Sequence, residues 1–241
     1  MAPSGIGDSV EGVHAVDAAV AAGRVRRLWI EHRRVDALSS LLDRAEGAGV
    51  EVSVVDDVRD RAATGAPQGV VASCRPIVAV DLDAAVAATS PAAVVVLDHL
   101  EDPRNVGALA RSAVAAGIGA LVVSRHRSAP LGATAFKAAA GALEHLAVCE
   151  VSSIPDAVAD LKRREVWTVG LDAGGDQSMF GLGLLTEPVA IVIGGEGAGL
   201  SRLVRDRVDI VASIPLHGPV ESLNAAVAAS LALYEIARAR S

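Results

Sequence analysis

The sequence predicts an α/β protein in two parts: a small α/β/α domain, then a larger α/β domain on a parallel sheet covered on both faces. Three observations carry this. Strand-like and helix-like stretches alternate from Glu11 almost to the end of the chain. The strand-like stretches of the second part, such as AVVVL, ALVVS and AIVI, are unbroken aliphatic runs, as expected of strands buried on both faces. Finally, 51% of the 241 residues are hydrophobic but only 2% are aromatic, so two cores of Ala, Val, Leu and Ile are expected.

In the first part, HAVDAAVAAG reads as a helix stopped by Gly23, RRLWI as a short strand, and DALSSLLDRAEGAG as an amphipathic helix with glycine at its C-terminal end. EVSVV is the next strand, VRDRAA a short helix, and GVVAS a strand introduced by the turn sequence GAPQG. Residues 76–91 read as a connector with the turn signal Thr89-Ser90-Pro91, so domains are expected at 1–75 and 92–241.

From Ala92 the alternation strengthens. AVVVLDHL is a strand, NVGALARSAVAAGIG a helix ending in glycines, ALVVS a strand, TAFKAAAGAL a helix and LAVCEV a strand. IPDAVADLKRRE is a helix, VWTVGLD, AIVIGG and DIVASIPL are strands, and SLNAAVAASLALYEIARAR is a closing helix of roughly five turns.

No apolar run approaches the ~18 residues of a membrane span. The opening MAPSGIGDSVEG lacks the basic start and apolar stretch of a secretory signal, so a cytoplasmic protein is expected. Cys74 and Cys149 stand apart with no ligand spacing around them, so packed, reduced thiols and no metal site are expected. The net charge of -7 is unhelpful to nucleic-acid binding as a whole. Local basic clusters exist, Arg24, Arg26, Arg27, Arg33 and Arg34, then Arg104, Arg111, Arg125, Arg127 and Lys137; they read as solvated faces or as an RNA path.

Chemistry concentrates between Val189 and Asn224. The run AIVI opens into Gly194-Gly195-Glu196-Gly197-Ala198-Gly199, where glycines let backbone approach a ligand closely. Neither Lys nor Thr follows as in a P-loop, and Leu200 stands where a dinucleotide fingerprint needs its third glycine. Glu196 would repel a phosphate, so it suits a ligand with donors or positive charge, or is simply an exposed turn residue. In DPRNVGALARSAVAAG, Asn105 can cap a helix that carries Arg111, and Ser222 can cap the last helix, with Asn224 in its first turn.

NVGALARSAVAAG, FKAAAGALEHLAV, IVIGGEGAGLS and IPLHGPVESLNAAVA, in that order, resemble the SpoU class of SPOUT RNA methyltransferases over essentially all of 92–240. The stretch from EGVHAV to APQGVVAS is similar to the small RNA-binding domain that precedes the catalytic domain in many members. The resemblance implies a catalytic domain with a deep trefoil knot that forms an S-adenosylmethionine pocket. It implies homodimers through the knotted domain, with the active site completed across the interface, and a 2'-O-methylated nucleotide in ribosomal or transfer RNA as product. Carried onto this chain, it makes Arg111 the catalytic residue, with Asn105, Glu196, Ser222 and Asn224 positioning it or the substrate. It assigns Gly170, Leu171, Gly194, Gly195, Gly197, Ile214, Leu216, Leu223 and Asn224 to the cofactor.

Arg111 is read either as the base or as an orienting group; since guanidinium is essentially always protonated, holding the adjacent phosphate is the physically easier role, with Glu196 paired to it across the pocket. Ala225-Ala226 stand where members usually carry Val-Ser, which removes one hydroxyl. A guanosine of large-subunit ribosomal RNA is the expected target. Transfer RNA or an adenosine are the other substrates, and a non-catalytic ribosome-assembly factor is the competing class. A nicotinamide-dependent dehydrogenase lacks its fingerprint.

Overall fold

The computed structural model describes residues 5–126 and 128–241, so Arg127 of the second basic cluster and the first four residues of the opening stretch lie outside the described residues. The chain forms two compact units.

The first unit is a four-stranded mixed sheet ordered β1 (Ser9–Glu11), β4 (Val70–Cys74), β2 (Val25–Glu31), β3 (Glu51–Val55). β2 and β3 run parallel, while β4 is antiparallel to both its neighbours. Helix α1 (Val13–Ala21) buries Ala15, Val16, Ala19 and Val20, one helical face. α2 (Ser39–Gly47) follows β2. The short helix expected from VRDRAA is instead a single 3-10 turn, Arg59–Arg61, capped by the buried Val58 and too short to form a helical face.

The second unit begins with α3 (Leu82–Val86), capped by Asp81, whose side chain accepts from the Ala84 N–H. Its seven strands are all parallel, in the order β7 (Ala147–Val151), β6 (Ala120–Ser124), β5 (Ala93–Asp98), β10 (Val189–Gly194), β8 (Trp167–Leu171), β11 (Ile210–Ser213), β9 (Gln177–Ser178). β5 and β10 are buried at all six positions, as their aliphatic sequences require. On one face, Val94, Val96, Val122 and Val192 pack with Leu82 of α3, with Val158 and Leu161 of α6 (Ile154–Arg163), and with Val204 of α7 (Arg202–Arg205). The intervening Val95, Leu97 and Ile191 are buried on the other face, where α8 (Ala225–Ala239) packs on β10 and α4 (Pro103–Ala115) packs on α8. Between β6 and β7 the chain returns to the first unit with Pro130–His145, whose helix α5 (Ala133–Ala139) packs on β1.

Both cysteines are buried and free, and burial pushes the Cys74 thiol up to about 11, which leaves it an unreactive packing group. No helix among the described residues is long and apolar enough to cross a membrane.

Candidate active site

Four loops at the carboxyl ends of β5, β8, β10 and β11 supply the site, the edge where open parallel sheets place ligands. α4 starts at Asp102, whose carboxylate accepts from the Arg104 N–H at 2.8 Å, with Pro103 in the first turn. Asp102 rather than Asn105 is therefore the cap, and Asn105, one turn in, is free to point its amide outward. Likewise Asn224, not Ser222, caps α8: its Oδ1 accepts from the Ala226 and Val227 N–H groups at 2.9 and 3.3 Å, and the helix begins only at Ala225.

These two amides and Glu196 form one relay whose direction is fixed by chemistry. A carboxylate only accepts, so Asn105 presents Nδ2 to the Glu196 carboxylate, which turns its Oδ1 toward Asn224. Asn224 must then donate through Nδ2, at 3.1 Å, which leaves its own Oδ1 for the helix N–H groups. Glu196 thus pairs with Asn105 and not, as the sequence suggested, with Arg111. Arg111 is exposed, six residues beyond Asn105 and so about 240° round the helix, in a solvent-facing stripe with Arg104, Ala108 and Ala115. It has no hydrogen-bond or ion-pair partner among the described residues.

The glycine loop closes on itself, with the Gly199 N–H donating to Gly195 O at 3.1 Å. A Cβ on Gly194 would overlap the Gly199 carbonyl, and Gly199 itself stands at φ 65° with Asp172 Oδ2 only 2.8 Å from where its Cβ would be. No other residue type allows this turn, which presents bare backbone to its surroundings.

That backbone walls a cavity of about 640 Å³. Of the residues the sequence assigned to a cofactor, Leu171, Gly194, Gly195, Gly197, Ile214, Leu216, Leu223 and Asn224 line it, together with Glu196 and Ser222. Gly170 does not line it; it lies beneath the wall, where a Cβ would be 2.5 Å from Leu200 Cδ1.

Two aspartates were missed. Asp98, fully buried at the end of β5, accepts from the Ser201 N–H at 2.6 Å and faces His99 Nδ1 at 2.7 Å, which fixes the chain leaving the glycine loop. Its signal was a charged residue closing an otherwise aliphatic strand. Asp172 lines the cavity and pairs with Arg205 at 2.9 Å. Burial pushes its carboxyl up, but the Gly174 N–H, the Arg205 guanidinium and the Leu200 N–H outweigh that and hold it below the usual carboxylate range. Asp172 is therefore ionised at neutral pH, with its charge met by Arg205. Among the described residues no cluster of His, Cys, Asp and Glu could hold a metal ion.

Residues 92–234 match the SpoU rRNA Methylase family, and residues 9–77 match the RNA 2'-O ribose methyltransferase substrate binding family. The chain is 35% identical over 240 residues to the 23S rRNA (guanosine-2'-O-)-methyltransferase RlmB of Coxiella burnetii, covering 96% of each. It is 35% identical over 238 residues to a protein of Staphylococcus haemolyticus assigned to the TrmH family of tRNA/rRNA methyltransferases, covering 96% of this chain and 95% of that one. Among solved structures it is similar to the SpoU methyltransferase AviRb from Streptomyces viridochromogenes in complex with AdoMet, with a TM-score of 0.81, 30% identity, and coverage of 96% of this chain and 90% of that one. With both of its parts matched, the chain belongs to the SpoU rRNA methylase family.

Proposed function

We propose that the chain is an S-adenosylmethionine-dependent RNA 2'-O-methyltransferase, cytoplasmic, acting on a guanosine of large-subunit ribosomal RNA. The observation that carries this reading is the Glu196–Asn105–Asn224 relay at a glycine-walled cavity. The RlmB relative and the substrate-binding match support the RNA and ribose assignments.

The cofactor suits the cavity. Its volume is within the usual range for small-molecule sites, Leu171, Ile214, Leu216 and Leu223 offer apolar surface for an adenine, and the glycine loop offers unscreened backbone groups for its edges. Asp172 supplies a carboxylate for hydroxyl or ammonium donors. Bound there, the cofactor would supply an electrophilic methyl group. The chain's own residues must then align a ribose hydroxyl and ease the loss of its proton. Glu196 and Ser222 have acceptors at the cavity, and Asn105 and Asn224 hold Glu196 in place. Arg111, protonated, takes a bidentate grip on a phosphate beside the target ribose.

Arg111 would do this in the site of a second copy. Its exposed stripe on α4 and the exposed Val227, Leu231 and Tyr234 at i, i+4, i+7 on α8 support a homodimer through this domain. The trefoil knot enters this reading through the family match over residues 92–234 and the likeness to the AviRb structure.

Incubation with labelled S-adenosylmethionine and ribosomal RNA is expected to label one nucleotide with the native chain and to lose at least 100-fold in rate with Arg111→Ala. A mixture of Arg111→Ala and Asn105→Ala subunits should recover part of the activity if sites are shared. Failure of the native chain to label any RNA, with no cofactor binding by calorimetry, overturns the reading; label in transfer RNA or on adenosine overturns the substrate alone.

A further inference from the structure

A second cavity, about 930 Å³ and wholly within the first unit, opens where the start of α1 meets the end of β2 and the loop before β4. We propose that this groove grips the sugar–phosphate backbone of the RNA through Arg33, Arg34 and Arg59; the proposal rests on the reading of the chain as an RNA methyltransferase.

What distinguishes Arg33, Arg34 and Arg59 is that they line one cavity, whereas the other arginines of the first unit lie apart from it. Arg26 and Arg61 have no hydrogen bond or ion pair among the described residues, and four others have partners. Arg24 is closed between Glu144, at 2.7 Å from its Nε, and the carbonyls of Gly7 and Arg75. Arg27 pairs with Glu51 at 2.6 Å, Arg44 with Asp17, and Arg75 donates to Gly23 O. Three guanidiniums face the groove with donors to spare. Arg33, 80% exposed, uses only Nε on Glu31, at 2.7 Å. Arg59 uses Nε and one terminal nitrogen on Asp57, at 2.8 and 2.6 Å. Arg34 is half-buried in the groove lining, and its guanidinium makes no ion pair among the described residues; its Nε lies buried beneath the surface, so a phosphate would meet the terminal nitrogens.

The groove is built to hold that side chain. Gly69 stands at φ 78°, and a Cβ there would be 2.6 Å from Arg34 Cγ and 3.0 Å from Glu31 Oε2, so its absence makes room for the arginine stem. The loop is pinned by Gln68, whose Oε1 accepts from the Val13 N–H at 3.0 Å. The positive end of α1 borders the groove, with the exposed His14 in its first turn. Three arginines against Glu31 and the Asp57 that pairs with Arg59 leave the groove at a formal +1 in a chain of net charge -7.

Forked N–H donors at spaced positions match phosphate oxygens better than point charges do. The lining has no Phe, Tyr or Trp on which a base could stack, so the groove would hold backbone and leave base identity to other contacts.

The test is binding of a labelled large-subunit ribosomal RNA fragment, by anisotropy, across 50 to 200 mM salt. Arg33→Ala/Arg34→Ala is expected to bind at least 10-fold more weakly, with the slope of log K against log salt reduced by about two, since each phosphate contact contributes ~0.7–0.9. Arg33→Gln alone, at an exposed position, should reduce the slope by about one, so a folding defect in the double variant cannot mimic the effect. S-adenosylmethionine affinity, read by calorimetry, should be unchanged because the cofactor cavity belongs to the second unit. Equal affinity and slope for the native chain and both variants overturn the groove while sparing the methyltransferase reading. No RNA binding by the native chain at 50 mM salt overturns both. Polyglutamate competing as well as RNA of equal charge would assign the groove to an acidic protein and overturn the proposal.

Discussion

Asn224 makes three hydrogen bonds with one side chain, accepting from two helix N–H groups and donating to Asn105. This separates its structural and site roles by substitution. Asn224→Ala removes the cap and should cost about 1 kcal/mol in urea denaturation. Asn224→Asp keeps an oxygen for the Ala226 N–H and suits the positive helix end, so stability should stay within about 0.5 kcal/mol of native. Yet it puts acceptors at both ends of the relay, Asp at 224 and Glu196, and Asn105 cannot donate to both and keep its oxygen satisfied. Both variants should therefore lose methyl transfer, while only the alanine variant loses stability; an active Asn224→Asp would remove the relay from the mechanism. The sequence made all three members of the relay legible as polar residues in separate motifs. It did not reveal their pairing, because charge complementarity favoured Glu196 with Arg111. The helical period alone argues otherwise, since a position six residues on faces well away from the first.

Four helices end in the same pair of bonds, with one residue in the left-handed region. After α1 the Arg24 and Gly23 N–H groups reach Ala19 O and Val20 O at 3.0 and 2.9 Å; after α2, Val50 and Gly49 reach Ala45 and Glu46, both at 2.9 Å. After α4, Ile118 and Gly117 reach Ala113 and Val114 at 2.9 and 3.1 Å. After α6, Val166 and Glu165 reach Leu161 and Lys162 at 3.1 and 3.0 Å. The left-handed residue is glycine in the first three and Glu165, at φ 59°, in the fourth. That is why three helix ends were readable and α6 was expected to run to Glu165, whereas it stops at Arg163. Glu165 is exposed, and a left-handed side chain costs ~1–2 kcal/mol. Glycine recovers that less ~0.4–1 kcal/mol of added chain freedom when unfolded. Glu165→Gly should then raise stability by about 0.5–1 kcal/mol, seen as a higher urea midpoint at unchanged slope; a lower midpoint would contradict the strain. The expected strand DIVASIPL shortens to Ile210–Ser213 for a different reason, because Ile214 and Leu216 leave the sheet to line the cavity.

The parallel sheet of the second unit was legible because strands buried on both faces must be aliphatic throughout. Their spatial order was not, since that pattern is the same whichever neighbours a strand has. What holds the end of the chain in place is polar. Arg240 donates to the carbonyls of Leu185, Glu187, Pro91 and Ala92, and Glu235 of α8 accepts from the Gly181 N–H at 2.7 Å, so the last helix is bound to the segment joining β8 to β10. The Arg238 guanidinium, with both bonds to Glu235 at 2.7 Å, is the main cause that pulls the Glu235 carboxyl down to about 2; burial opposes it and the Gly181 N–H assists. The folded value lies below the ordinary 4.5, so the stabilisation is complete above pH ~4.5 and is lost as pH falls toward 2. Glu235→Gln keeps an acceptor for Gly181 but cannot ionise. The native chain should therefore exceed the variant in urea midpoint at pH 7, and the gap should narrow at pH 3. It should narrow at high salt too, because Arg238 is mostly exposed and its field is screened. A gap constant from pH 7 to pH 3 would mean that the carboxylate's charge contributes nothing to holding the last helix.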